Sequence, residues 1–95
     1  MYTSNFISIN LLTFHNYLKK VDINIEEIRK KFGANLKSIR KRKKLSQLTL
    51  AVKCGTDNSQ ISQWERGIWD VQLSTIIVLA KGLEVEPKEL LDFKI

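Results

Sequence analysis

"SQLTLAVKCGTDNSQISQWERG", Ser46 to Gly67, reads as two short helices joined by a turn. Ser46 supplies the side-chain oxygen with which an N-cap accepts from a main-chain N–H one turn into the helix. Leu48, Leu50 and Ala51 are the apolar content of a helix of about two turns. Gly55 ends it, because glycine takes up the left-handed conformation common just past a helix end. Asp57 opens the next helix: with Gln60 three positions on it resembles a capping box, glutamine taking the reciprocal role, and Gly67 is the stop. Apart from Ile61 and Trp64, this second segment is built of short amides, hydroxyls and a few charges.

Upstream, Ile25, Ile28, Phe32, Leu36 and Ile39 are spaced 3, 4, 4 and 3, which lines one face of an α-helix and would scatter over both faces of a strand. Asn24 or Asp22 can cap its start, and Glu26 and Glu27 lie in the first turn, where the helix dipole favours acids. Gly33 destabilises that helix by about 1 kcal/mol relative to alanine, so a break near it is an option. Downstream, a helix is predicted over Leu73–Leu83 with Leu73, Ile76, Ile77, Ala80 and Leu83 on one stripe. Glu86 precedes Pro87, a residue favoured at the first helical position, and Leu90, Leu91 and Phe93 give a last helix its apolar side. In residues 1–22, Phe6, Ile7, Ile9, Leu11, Leu12, Phe14, Tyr17 and Leu18 could form an amphipathic helix, although they fit that period imperfectly. No strand pattern competes, so the expected fold class is all-α.

At 95 residues the chain can build one modest core but not two. Its 43% hydrophobic and 27% charged residues are the balance of a folded protein rather than a disordered one. Cys54 is the single cysteine, which excludes an internal disulfide and a cysteine-based zinc site and fits a reducing cytosol. An enzyme fares badly: His15 is the only histidine, Cys54 occupies an apolar helical position, and there is no glycine-rich phosphate loop. One histidine and one cysteine far apart cannot close a metal site, so no metal and no cofactor are expected. The longest apolar run, Ile76 to Ala80, is five residues, against the roughly 20 that a membrane span needs. Residues 1–20 lack the basic head of a secretory signal, and a cytoplasmic location is expected.

The net charge is +6, and nine of the 16 basic residues fall between Arg29 and Lys44 with no acid among them. Such a block either sits near phosphate or forms a solvated helix face, and charge alone does not decide. The segment Ser46–Gly67 says more. A two-turn helix, a turn with glycine and a second helix with a polar face have the plan of a helix-turn-helix, whose second helix enters the major groove of DNA. That groove is about 12 Å wide, and its base edges offer donors and acceptors that Asn, Gln and Ser can match.

The stretches "LKSIRKRKKLSQLTLAVKCGTDNSQISQWERG" and "LSTIIVLAKGLEVEPKELL" resemble the DNA-binding domain of Cro/cI-type (Xre family) transcriptional regulators, over roughly Phe32 to Phe93. The resemblance implies a five-helix, lambda-repressor-like domain over residues 32–95, preceded by a partly helical N-terminal extension over 1–31. It also implies roles. Gln47, at the start of the second helix, would hydrogen-bond a DNA phosphate with its side chain and its main-chain N–H. Asn58, Ser59 and Gln63 would meet base edges. Ser62, near the flank, and Lys44 are counted with Gln47 as phosphate contacts, while Gln60 is expected at the cap. Arg40 and Glu65 match positions that pair in many family members and are expected as a structural ion pair. Ile61 and Trp64 are expected in the core with Leu48, Leu50 and Ala51 rather than as a platform for stacked bases, and Cys54 as a buried, inert thiol rather than a redox sensor.

Two departures from the family stand out. After Gly67 the family often carries basic or polar residues and a proline, where this chain reads "IWDVQ". Ile68 and Trp69 cannot make the phosphate contacts expected there, and Trp69 is free to pack on the protein or on a partner subunit. Residues 1–31 have no counterpart in the smallest members. The expectation is therefore a regulator that binds double-stranded DNA at a palindromic operator as a homodimer, acting by occupying DNA or by touching RNA polymerase, with no membrane or small-molecule partner. Restriction-modification controllers, phage repressors and antitoxins all fit that description, with a lean toward a controller. The competing class is a protein-interaction module on the same fold.

Overall fold

The computed structural model describes residues 21–95 together with Thr13. The amphipathic helix expected near the N-terminus lies outside the described residues. Five helices follow one another: α1 Ile25–Arg42, α2 Gln47–Cys54, α3 Asn58–Glu65, α4 Leu73–Leu83 and α5 Pro87–Leu90. Four of the five starts have a local cause, and α4, preceded by Gln72, has no side-chain cap. Asn24 Oδ1 accepts from Glu27 N at 3.1 Å, Ser46 Oγ from Thr49 N at 3.0 Å and Asp57 Oδ1 from Gln60 N at 2.8 Å. At α5, Pro87 takes the first turn, and Glu89 Oε2 reaches back to accept from Glu86 N at 3.2 Å, the returning half of a capping box.

The first four helices end alike. After each, a residue in the left-handed region (Lys44, Gly55, Gly67 or Glu84) turns the chain, and the next N–H reaches back five residues. The returning bonds are Leu45 to Arg40, Thr56 to Ala51, Ile68 to Gln63 and Val85 to Ala80, all between 2.9 and 3.2 Å. This is the Schellman closure, which satisfies carbonyls that the helix itself leaves open. Gly67 is doubly constrained: its φ is +72°, and a Cβ there would lie 2.7 Å from the main chain of Lys30 on α1.

The helices pack as a closed ring in the order α1–α3–α2–α4–α5 and back to α1. Phe32, Leu36 and Ile39 of α1, Leu50 and Ala51 of α2, Ile61 of α3, Ile76, Leu79, Ala80 and Leu83 of α4 and Leu90 of α5 fill the centre. Asn35 joins the ends of the ring: its Nδ2 donates to the carbonyls of Glu89 and Leu90, at 2.8 and 3.0 Å.

Several expected core positions lie elsewhere. Leu48 is 61% exposed and Leu73 is 73% exposed; Ile77 and Leu91 are exposed as well. The buried line of α4 is Ile76, Leu79, Ala80 and Leu83, an i, i+3, i+4, i+7 set that leaves Leu73 and Ile77 on its flank. In α2 the inward line is Leu50, Ala51 and Cys54, which turns Leu48 and Val52 outward. Trp64 is half-buried against the core. The break considered at Gly33 does not occur: α1 runs through it, and Gly33 is buried.

Candidate nucleic-acid interface

The geometry begins with an ion pair. Arg40, on α1, meets Glu65, the last residue of α3, through two parallel contacts: Nε to Oε2 at 2.5 Å and Nη2 to Oε1 at 3.0 Å. Both side chains are buried, and Nη1 of Arg40 donates to the carbonyl of Leu45 at 2.8 Å. One guanidinium thus fixes the C-terminal end of α3 and the entry to α2. The fork geometry of arginine suits a bidentate carboxylate, which a lysine could not reproduce.

Gln47 joins the same network, its Nε2 donating to Glu65 Oε1 at 3.0 Å. Its side chain is therefore held across the top of α3, with its own oxygen and one N–H outside that bond. Gln47 is the first residue of α2, and the Ser46 cap takes the N–H of Thr49, so the main-chain N–H groups of Gln47 and Leu48 are left for an outside acceptor. A helix N-terminus with open N–H groups and a positive dipole end favours an anion such as phosphate.

Along α3, Asn58 and Ser59 are exposed in the first turn and Gln63 is half-exposed one turn on. The Ser59 hydroxyl donates to Asp57 Oδ1 at 2.9 Å, which leaves its oxygen as an acceptor. The hydrogen bonds from the Gln60 N–H and the Ser59 hydroxyl hold the Asp57 carboxyl below the usual aspartate range. The cap differs from the expected box. Gln60 contributes its main-chain N–H, and the second hydrogen bond to Asp57 Oδ1 comes from Ser59. Ser62 is half-buried, and Lys44 stands exposed in the turn before Leu45.

Trp69 occupies a place that sequence patterns did not indicate. Its indole Nε1 donates to Gln63 Oε1 at 3.1 Å, across the turn at Gly67. Nothing in periodicity points to a pair six residues apart, because the contact depends on the returning turn. Cys54 is half-buried, packs against the core and has its thiol pushed up by burial, so it stays protonated at neutral pH.

The basic block divides into two groups. Lys30 and Lys31 pair with Glu26 and Glu27 one turn back at 3.0 and 3.4 Å, and Arg42 with Glu89 at 3.3 Å. Arg29 lies 3.9 Å from Asp70, and Arg40 is on Glu65. Among the described residues, Lys37, Lys41, Lys43 and Lys44 have no carboxylate partner, and all four are exposed around the C-terminal half of α1. Also among the described residues, no cluster could hold a metal ion, and no helix is long and apolar enough to cross a membrane.

Comparison with known proteins bears on the fold and the family. The control protein C.BamHI of Bacillus amyloliquefaciens is 43% identical over 67 residues, covering 70% of this chain and 83% of that protein. The restriction-modification controller C.AhdI of Aeromonas hydrophila superposes with a TM-score of 0.69 at 41% identity, over 72% of this chain and 99% of that one. The P22 c2 repressor, solved with a synthetic operator, gives a TM-score of 0.58 at 33% identity over 64% of this chain and 92% of that chain. The helix-turn-helix family profile matches residues 36–90, a span that includes α2 and α3, and the chain belongs to the helix-turn-helix family of Cro/cI-type transcriptional regulators.

Proposed function

We propose that the protein regulates transcription by binding a palindromic DNA operator as a homodimer, with α3 of each protomer in the major groove. The observation that carries this is the brace on α3. Its C-terminal end is held by the buried Arg40–Glu65 pair, while Asn58 and Ser59 stand exposed at its N-terminal end and Gln63 one turn further on. Recognition helices meet base edges with their N-terminal residues. Gln47, Ser62 and Lys44 contact phosphates on either side, and the dimer's half-sites lie about 34 Å apart. Likeness to two control proteins supports a controller of restriction-modification genes over a phage-type repressor or an antitoxin. In this role the protein works in the cytoplasm without a cofactor, and contact with RNA polymerase would let it activate as well as repress.

Fluorescence anisotropy with random-sequence duplex DNA at two salt concentrations tests the proposal. Affinity should fall steeply as salt rises, because each neutralised phosphate releases counterions. Absent or salt-independent binding would leave a protein-interaction module as the better account of the fold.

A further inference from the structure

We infer that Trp69 sets the base preference of α3 by holding the Gln63 carboxamide in one orientation. The inference rests on the proposal that Gln63 meets a base edge. An unrestrained glutamine can turn either end outward, and with both ends it pairs adenine, its oxygen accepting from N6 and its amine donating to N7. An indole N–H is a donor only. The Nε1–Oε1 contact at 3.1 Å therefore fixes which end of Gln63 faces Trp69: it must be the oxygen. The amine, with two N–H donors, is the end left outside that bond.

The orientation is held at both ends of the contact. Gln63 lies on α3, and its own carbonyl accepts from Ile68 N at 3.2 Å, one residue before Trp69. Gly67 makes the turn at a φ of +72°, with the main chain of Lys30 against it. Trp69 thus emerges from a turn that has little room to move. The residue is 56% exposed and lines a shallow concavity with Gln60, Trp64 and Thr75.

A base edge that meets two donors must offer acceptors. Guanine presents O6 and N7 side by side in the major groove, whereas adenine places its N6 amine, itself a donor, next to N7. Trp69 is therefore a positioning residue: the Gln63 oxygen keeps one lone pair, but with the indole on its other side and both amine N–H groups left outside that bond, Gln63 is biased toward the paired acceptors of guanine over the mixed edge of adenine.

Selection of binding sites from a random duplex pool, run with the full chain and with Gln63→Ala and Trp69→Phe, tests the inference. Gln63→Ala should flatten the preference at one position of each half-site and so identify it. There the unsubstituted protein should favour guanine over adenine by about tenfold. Trp69→Phe keeps an aromatic ring but removes the N–H together with the pyrrole part of the indole; it should bring that ratio below about threefold while the positions read by Asn58 and Ser59 stay unchanged. If Gln63→Ala flattens no position, the assignment of Gln63 to a base fails and the role of Trp69 with it. If Gln63→Ala flattens a position but Trp69→Phe keeps the original preference there, or the unsubstituted protein prefers adenine, the role of Trp69 alone is overturned. A DNA-free readout is the Trp69 indole proton resonance in the folded protein. It should move toward the solvent-exposed value in Gln63→Ala, and an unmoved resonance would also overturn the inference.

Discussion

Glu65 carries more of the architecture than its charge suggests. Its carboxylate accepts from both nitrogens of the Arg40 fork and from Gln47, so α1, α2 and α3 meet at one group. Burying two charges is costly in itself, and the return is geometric: an unpaired partner is much worse than no pair. Glu65→Ala leaves the Arg40 guanidinium buried without its counterion and should lower stability by about 3–5 kcal/mol, a large share of what a domain of this size has. Urea denaturation measures this, and a loss under 1 kcal/mol would show that the pair is dispensable. Replacing both residues together, Arg40→Met with Glu65→Leu, should recover much of the loss, because no orphan charge remains. At this scale the sequence was partly readable. Caps announced themselves, since Ser46, Asp57 and Asn24 act on N–H groups three residues away. The Arg40–Glu65 partnership spans 25 positions and became visible only through family resemblance.

Between elements, the close approach of α1 and α3 is set by Gly33. A Cβ at that position would lie 2.5 Å from the carbonyl oxygen of Trp64 and still closer to that of Glu65. Helix propensity alone predicts that Gly33→Ala stabilises α1 by about 1 kcal/mol. Packing predicts the opposite sign, because the obstructing atoms are main chain at the end of α3, where Glu65 is already pinned by Arg40. The net effect should be a destabilisation of about 1–3 kcal/mol, seen as a lower urea midpoint; a midpoint equal to or above that of the unsubstituted protein would mean that α3 can yield. The same contrast explains what the pattern of apolar residues left open. Helix α1 has one apolar stripe opposite its charges, so its inward face was legible as Phe32, Leu36 and Ile39. Helix α4, "LSTIIVLAKGL", is apolar nearly all round, and several stripes fit the 3.6-residue period equally well. Which one turns inward is decided by α2 and α5, and that is how Leu79 came to be buried while Leu73 and Ile77 stayed outside.

Across the whole molecule, the net charge of +6 overstates what is free to meet phosphate. The N-terminal half of the basic block is engaged internally: Lys31, for example, pairs with Glu27 at 3.4 Å and donates to the carbonyls of Lys94 and Ile95 at 2.9 and 3.2 Å. Lys37, Lys41, Lys43 and Lys44 lie where α1 hands the chain to α2, and Lys44 is three residues before Gln47, the proposed phosphate contact at the start of α2. Lysines without a carboxylate partner are therefore concentrated in the sequence leading from α1 into the start of α2, where the first N–H groups are open, and Lys43 among them also reaches the Glu84 carbonyl at 3.5 Å. For binding governed by counterion release, each phosphate contact contributes about 0.9 to the slope of log affinity against log salt. Lys44→Gln should weaken binding to every sequence alike and lower that slope by about 0.9 per protomer. Lys31→Gln removes an equal formal charge from a residue already engaged within the protein, so the slope should stay where it was. Titrations of both variants over a series of salt concentrations on one duplex distinguish local contact from net charge. Equal changes in slope for the two would mean that the protein attracts DNA through its overall field rather than through contacts at the α1–α2 junction.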